Sequence, residues 1–487
     1  MDKQTALRSL PAVHKVLALP QTQERLGGYP FSTVSKAVSE AIQELRDVFS
    51  NAGEAGTLTE SWWAEHAAPL AILARAEQIL RGMFSTHLQV VLNLTGVVIH
   101  TNLGRAPLSG RALRAVQEVA GGYSNLEYDL DAGKRGSRHV HVEKRICELT
   151  GAEAAVVVNN NASAVFLVLR ELARGGEGVV SRGQLVEIGG SFRVPEIMRE
   201  SGVDLVEVGT TNKTKLADYE NAISDRTKLI LRVHTSNFRI LGFTEQPHLE
   251  RLVELAHSHD LPVFEDLGSG ALFDYAMHGI GDDPVIQASV AAGVDVLSFS
   301  GDKLLGGAQA GIIIGKKRYI DRQKNQLLRA LRVDKMTLAA LEATLISHLD
   351  DELVRQEVPV VRMLTESEDV IRRRCEQIYQ PLQDDPLFVS IFDLTMVQEA
   401  SAVGGGALPL ESLPSWVIRL RPKTVGVQML FDDLRGIPNP PIVGRIEDDS
   451  ILLDVRTLLP EQQGLLLAGL RQIASVYAHG SDTDVTQ

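Results

Sequence analysis

From about residue 150 the chain alternates short β-branched runs with amphipathic stretches. AAVVVN (154–159), EGVVSR (177–182), DLVEVG (204–209), KLILRVH (228–234), LPVFED (261–266) and VDVLSFS (294–300) are apolar runs of strand length. Separated by segments of helical spacing, they predict βα units feeding a mostly parallel sheet with helices on both faces. The helical stretch MTLAALEATL (336–345) ends this rhythm. Beyond it, FVSIFDLTMV, WVIRLRP and ILLDVRTL read as strands between longer irregular segments, and EQQGLLLAGLRQIASVY reads as a closing helix. The first 80 residues follow a helical period instead. Val34, Val38, Ala41, Ile42, Leu45, Val48 and Phe49 share one face, Ser32 is placed to cap the start, and a second helical stretch with Trp62 and Trp63 begins near Glu60. The expected organisation is a helical domain (1–80), a large α/β domain with its linker (81–345), a small α+β domain (346–477) and a disordered polar tail (478–487).

Length agrees with this division, since 487 residues exceed what one core sustains. No apolar run approaches the ~20 residues that cross a bilayer. The N-terminal MDKQTALRSL lacks the apolar core of a secretory signal, so the expectation is a cytoplasmic protein with no membrane partner. Cys147 and Cys375 are the only cysteines and form no CxxC pair. They exclude a disulfide framework and a zinc ribbon, and no metal site is expected. The net charge of −13 weighs against nucleic acid as a partner, although a whole-chain sum can hide a local basic groove.

The candidate chemistry lies at strand ends. In sheets of this kind ligands bind beyond the carboxyl ends of the strands, and Asn159, Asp266 and Lys303 all fall there. Lys303, in SFSGDKLLGG, sits in a turn of small residues between apolar strands, where a lysine without a purpose loses hydration for nothing. Pyridoxal phosphate needs three things that these positions offer. A lysine amine forms a Schiff base, a carboxylate keeps the pyridine nitrogen protonated, and amides at a helix N-terminus take the phosphate. Lys303 and Asp266 supply the first two. NNNASAV supplies the third through Asn160, Asn161, Ala162 and Ser163, with Ser300 adding a hydroxyl and Asn237 donating to the ring oxygen. Each residue alone has a plainer reading: a snorkelling lysine, a turn aspartate, a helix cap. Their convergence on one edge of one sheet favours the cofactor.

Longer blocks carry a resemblance. LNLTGVVIHTNLGRAPLS (92–109), LEYDLDAGKRGSR (126–138), VVNNNASAV (157–165), SRGQLVEIGGSFRVPEIM (181–198), EVGTTN (207–212), EDLGSGAL (265–272), SFSGDKLLGGAQAGIIIGKK (298–317) and LRVDKMTLAALEATL (331–345) resemble the bacterial selenocysteine synthases, the L-seryl-tRNA(Sec) selenium transferases. The resemblance implies a type I fold of pyridoxal-phosphate enzymes. It also implies conversion of seryl-tRNA(Sec) to selenocysteinyl-tRNA(Sec) through an aminoacrylyl intermediate, with selenophosphate as donor. Lys303 would then bond the cofactor, with Asp302 as a proton partner or only a turn residue. Arg105, Arg329 and Arg332 would meet selenophosphate, and Thr210 and Thr211 would line the same pocket or only make a turn. The N-terminal domain would grip the tRNA, and the chain would assemble into a ring of dimers, a decamer. Two other readings remain open: a pyridoxal-phosphate lyase acting on a small free amino acid or sugar acid, and a non-catalytic RNA-binding scaffold.

Overall fold

The computed structural model describes residues 8–52, 59–188 and 192–481, and it divides into two compact units, one ending at Val90 and one beginning at Val91. The first unit is helical. Its two long helices, α1 (Phe31–Ala52) and α2 (Pro69–Phe84), bury Val34, Val38, Ala41 and Ile42 against Ile72, Leu73, Ala76 and Leu80. Arg75 holds the pair from outside with a two-pronged bond to Glu44, 2.6 and 2.8 Å. Two details differ from the pattern-based expectation. Helix α1 starts at Phe31, so Ser32 lies inside its first turn rather than capping it. Val48 is exposed, because the apolar face of α1 runs on past the part that α2 covers.

The second unit is built on a seven-stranded sheet: β1 (Ala154–Val158), β2 (Glu177–Ser181), β3 (Asp204–Val208), β4 (Thr227–Val233), β5 (Val263–Gly268), β6 (Val296–Ser300) and β7 (Gly311–Gly315). The spatial order is β1-β7-β6-β5-β4-β2-β3, and every pairing is parallel except the two made by β7. β7 reverses because the link from β6 contains no helix, and a parallel return needs a crossover of a dozen or more residues. Helix α3 (Asn161–Ala173) covers one face, and helices Val140–Thr150, Leu249–Ser258 and α5 (Lys335–Ser347) cover the other. Between β7 and α5 lies the short helix α4 (Gln326–Leu331).

The C-terminal part forms a second sheet. The strand Arg445–Glu447, β10 (Ser450–Asp454), β9 (Ser412–Pro422), β8 (Phe392–Gly404) and the early strand Val97–Ile99 lie side by side in that order. Two apolar runs there behave differently from a strand reading. FVSI belongs to the helix Pro386–Ile391, because Asp385 accepts the Leu387 and Phe388 amides and Pro386 occupies the first helical position. ILLDVRTL stops being strand at Asp454, whose carboxylate takes the Arg456 amide and turns the chain into a 3-10 helix. The closing helix runs from Gln463 to Ser481, four residues into the segment expected as a tail; 482–487 lie outside the described residues.

The early strand reaches the C-terminal sheet through one buried polar cluster. Asp454 is fully buried, accepts from Ser401 Oγ (2.7 Å) and Ser415 Oγ (2.8 Å), and donates its amide to Leu94 O (2.9 Å). Gly96 passes so close, at φ +76°, that a Cβ there would lie 2.3 Å from Asp454 Oδ2. Arg456, 2% exposed, donates to the carbonyls of Met363 (2.6 Å), Glu366 (3.2 Å) and Pro414 (2.5 Å). Burial pulls its guanidinium below the ordinary arginine range, while Asp454 and Glu366 hold it charged. Arg456→Met therefore strands three carbonyls and removes the positive charge beside Asp454 and Glu366. It should cost about 3 kcal/mol of stability in urea unfolding. A loss below about 0.5 kcal/mol, the scale of an ordinary surface change, would show that Arg456 does not hold this junction.

Candidate active site

Asp266 is the most constrained charge in the large sheet. It lies on β5, 2% exposed, and Oδ1 accepts from Asn161 Nδ2 (2.8 Å), the Gly268 amide (3.2 Å) and Ser298 Oγ (3.3 Å). Burial pushes the carboxyl upward; the Asn161 bond, the Lys303 charge and the other two donors pull it back. No described residue donates to Oδ2, so the carboxylate keeps one oxygen for a partner outside the chain. Ser298 faces it because β5 and β6 are in register at Asp266 and Ser298.

Lys303 follows β6 in the turn Gly301–Leu305 and is 5% exposed. Its ammonium has neither a hydrogen bond nor an ion pair within the described residues. Burial lowers its pKa from the usual lysine range; Asp266 opposes that, Arg105 adds to it, and Asp302 opposes it. A buried amine with a lowered pKa and no partner is a nucleophile in waiting. Asp302 next to it is tied up, since Arg105 Nη1 lies 2.7 Å from its Oδ2. Arg105 itself takes φ +62°, a left-handed conformation that a non-glycine side chain adopts only under constraint, and its buried Nε finds no acceptor.

The turn after β1 splits its labour. Asn160 caps α3 by accepting the Ser163 amide at 2.8 Å, and Asn161 turns its side chain to Asp266. The amides of Asn161 and Ala162 stay without an acceptor among the described residues, which leaves an anion seat at the positive end of the helix. Ser300, at the end of β6 and 5% exposed, keeps its hydroxyl free of described partners. Asn237, just past β4, gives Nδ2 to the Glu187 carbonyl (3.0 Å) and leaves a buried Oδ1 unpaired.

Arg329 and Arg332 line a cleft of about 280 Å³ together with Arg135, Arg138, Lys324 and His139. Glu127 is the one carboxylate in its lining; it binds Arg138 (2.7 Å), is pulled below the usual carboxylate range mainly by that bond, and lies 3.4 Å from Arg332. His139 is uncharged at neutral pH, since burial first and Lys324 second push it down to about 4. The cleft is joined to the sheet by the bond from the Asn159 amide to Leu331 O (2.9 Å) and a bridge between Val158 and Arg332. It therefore opens at the end of β1, two strand spacings, roughly 10 Å, from β6.

Thr210 and Thr211 are not part of this gathering within one chain. They follow β3, at the far edge of the sheet, and Thr210 Oγ1 spends its bonds on the Lys213 backbone (3.0 and 3.2 Å), as a turn residue does. Sequence reasoning missed Ser298, the Asp266-binding role of Asn161, and the cations Arg135, Arg138 and Lys324. The dense basic run KRGSRH (134–139) was the available signal for two of these.

Known proteins match nearly the whole chain. Residues 91–459 match the family model "L-seryl-tRNA selenium transferase", and residues 7–46 match "Selenocysteine synthase N terminal". An L-seryl-tRNA(Sec) selenium transferase of Maridesulfovibrio salexigens is 48% identical over 95% of this chain and 98% of its own. One from Carboxydothermus hydrogenoformans is 46% identical over 95% and 96%. Among solved structures, a D-glucosaminate-6-phosphate ammonia-lyase shares the fold, with a TM-score of 0.55 at 22% identity, covering 82% of this chain and 99% of that one.

The charges around Lys303 set a test. Asp266→Asn removes the anion that most raises the Lys303 pKa, so half-maximal reductive methylation of Lys303, followed by peptide mass spectrometry, should move to lower pH. Arg105→Met removes a cation and should move it to higher pH. Shifts of the opposite sign would show that these neighbours do not govern the amine.

Proposed function

Since the chain belongs to the L-seryl-tRNA selenium transferase family, we propose that it converts seryl-tRNA(Sec) to selenocysteinyl-tRNA(Sec), with pyridoxal phosphate as cofactor and selenophosphate as selenium donor. The observation that carries this reading is the pairing of a buried, partnerless amine, Lys303, with a carboxylate, Asp266, that keeps one oxygen uncommitted. That donor set fits pyridoxal phosphate: Lys303 for the aldehyde carbon, Asp266 Oδ2 for the ring nitrogen, and the Asn161 and Ala162 amides with the Ser300 hydroxyl for the phosphate. When bound, the cofactor supplies an electron sink for the serine Cα.

The chain's own groups account for the remaining work. Asp266, whose three donors favour its charged form against the pull of burial, is placed to pair through Oδ2 with a protonated ring nitrogen. Lys303, with its lowered pKa, is suited to move the Cα proton once its amine is free. Departure of the β-hydroxyl opens Cβ to selenium, and the donor is a small polyanion. The cleft of Arg135, Arg138, Lys324, Arg329 and Arg332 matches it in charge, and guanidinium groups are suited to bidentate contacts with such an anion. Arg105, held by Asp302, supports Lys303 through its charge and lies outside that cleft lining. The helical unit ending at Val90 is the candidate tRNA grip, supported by the family model that matches 7–46. A ring of dimers in the cytoplasm completes the reading; no helix among the described residues is long and apolar enough to cross a membrane.

Incubation with seryl-tRNA(Sec) and selenophosphate should yield selenocysteine on the tRNA, and Lys303→Ala should yield none. Unchanged serine, with turnover of a free small amino acid or sugar acid, would instead support the lyase reading. Arg329→Ala and Arg332→Ala should each raise KM for selenophosphate about 10- to 100-fold, the scale of one charged hydrogen bond, and leave KM for seryl-tRNA within about twofold. A rise in the seryl-tRNA KM alone would move the cleft from donor binding to tRNA binding.

A further inference from the structure

The turn that carries Lys303 is gripped from two directions by side chains that touch no reacting atom. Leu304, the next residue, donates its amide to Ser269 O (3.1 Å), and its carbonyl accepts from Tyr275 Oη at 2.9 Å. Leu305, one further on, gives its carbonyl to His348 Nε2, also at 2.9 Å. Tyr275 is 3% exposed, comes from the loop after β5, and among the described residues makes this one hydrogen bond through its hydroxyl. His348 ends helix α5, which begins three residues after Arg332. A carbonyl only accepts, so Nε2 carries the proton. Burial pushes the ring down to about 4, so this donor is present throughout the neutral range.

The rest of the turn has little room to adjust. Gly301 and Gly307 are bonded to each other (2.8 Å), the Gly306 amide bonds Lys303 O (2.9 Å), and Gly306 takes φ +72° with Val358 only 2.3 Å from where a Cβ would stand. The peptides just beyond Lys303 therefore have their orientation set by two side chains, one from the β5 loop and one from the end of α5. The β5 loop follows the strand bearing Asp266, so the same contacts relate the amine's backbone to the carboxylate.

We propose that Tyr275 and His348 are positioning residues for Lys303: they hold the Leu304 and Leu305 carbonyls so that the lysine amine returns to one place in every turnover. The inference rests on the reading of Lys303 as the cofactor-bonding lysine. The side-chain bonds that Tyr275 and His348 make to the turn go to the Leu304 and Leu305 carbonyls, so both act through its backbone.

The test uses the full chain in cofactor-free and cofactor-loaded form, with Tyr275→Phe, His348→Leu and His348→Gln. Glutamine retains an amide donor for Leu305, and leucine does not. Tyr275→Phe and His348→Leu should lower kcat about 10- to 100-fold, as a displacement of an ångström does. KM for seryl-tRNA should stay within about twofold, and His348→Gln should regain most of the loss. In the cofactor-free protein the two loss variants should also change the rate of Lys303 methylation at least about threefold, a readout that does not depend on turnover. Wild-type kcat and methylation, or a kcat loss that His348→Gln shares equally and that follows a fall in Tm, would overturn the inference. Lys303→Ala separates the two levels. If it keeps the cofactor's absorbance, the lysine assignment falls and this inference with it. If it loses the absorbance while Tyr275→Phe and His348→Leu behave as wild type, only the positioning role falls.

Discussion

The site depends on keeping one buried carboxylate ionised. Removed from water without help, Asp266 would take up a proton and lose its use as a counter-charge. Its three donors and the Lys303 charge work against that tendency, which burial still leads, and each donor comes from a different piece of the fold. Asn161 is available only because α3 starts where it does, with Asn160 as its cap. Ser298 is available only because β6 pairs with β5 in one register, and a slip of a single residue would put Leu297 or Phe299 opposite instead. The Gly268 amide is available only because that residue takes φ +65°, which glycine adopts without strain. Helix start, strand register and turn conformation are thus tied together by one carboxylate.

Lys303 presents the converse problem. A catalytic amine must be dry enough to lose its proton and free enough to change partners, so its own nitrogen cannot be bound tightly by the protein. The chain meets this by binding the neighbours. Asp302 is committed to Arg105, and the two leucine carbonyls are committed to Tyr275 and His348. The short, helix-free link to the reversed strand β7 keeps the turn compact, with Gly301 donating to Ala310 O at 2.9 Å.

What the amino-acid order revealed and what it hid divide along the same line. The six runs read as strands are strands within a few residues; in the interior of the sheet burial on both faces leaves a nearly unbroken apolar signature, and the half-exposed edge strand β3 keeps its β-branched residues. Lys303 and Asp266 were legible because a polar residue at the end of such a run breaks the pattern. The Asn161–Asp266 bond spans 105 positions, and nothing local distinguishes an asparagine that caps a helix from its neighbour that reaches a carboxylate. Thr210 shows where that signal stops. It lies at a strand end as Asp266 does, but strand order, which the sequence does not display, puts β3 at the far edge. FVSI misled because apolarity alone cannot separate a buried strand from a buried helix. The deciding residues were Asp385 and Pro386 just before it.

Strand order also resolves the puzzle of charge. A chain with a net charge of −13 is an unpromising host for a polyanion, yet five cations face a single carboxylate in the cleft beside α4. Lys324, Arg329 and Arg332 come from one segment and Arg135 and Arg138 from another, and the β1 end is where the two segments meet. His139, the remaining titratable group, stays uncharged because the cations around it and its burial oppose protonation. Charges at contact range outweigh those more than a Debye length away, about 8 Å in physiological salt. An anion entering the cleft would therefore feel the local excess, with more distant negative charge largely screened. Attraction of this kind acts over a short distance. It suits a small, dense anion that fits among these five side chains.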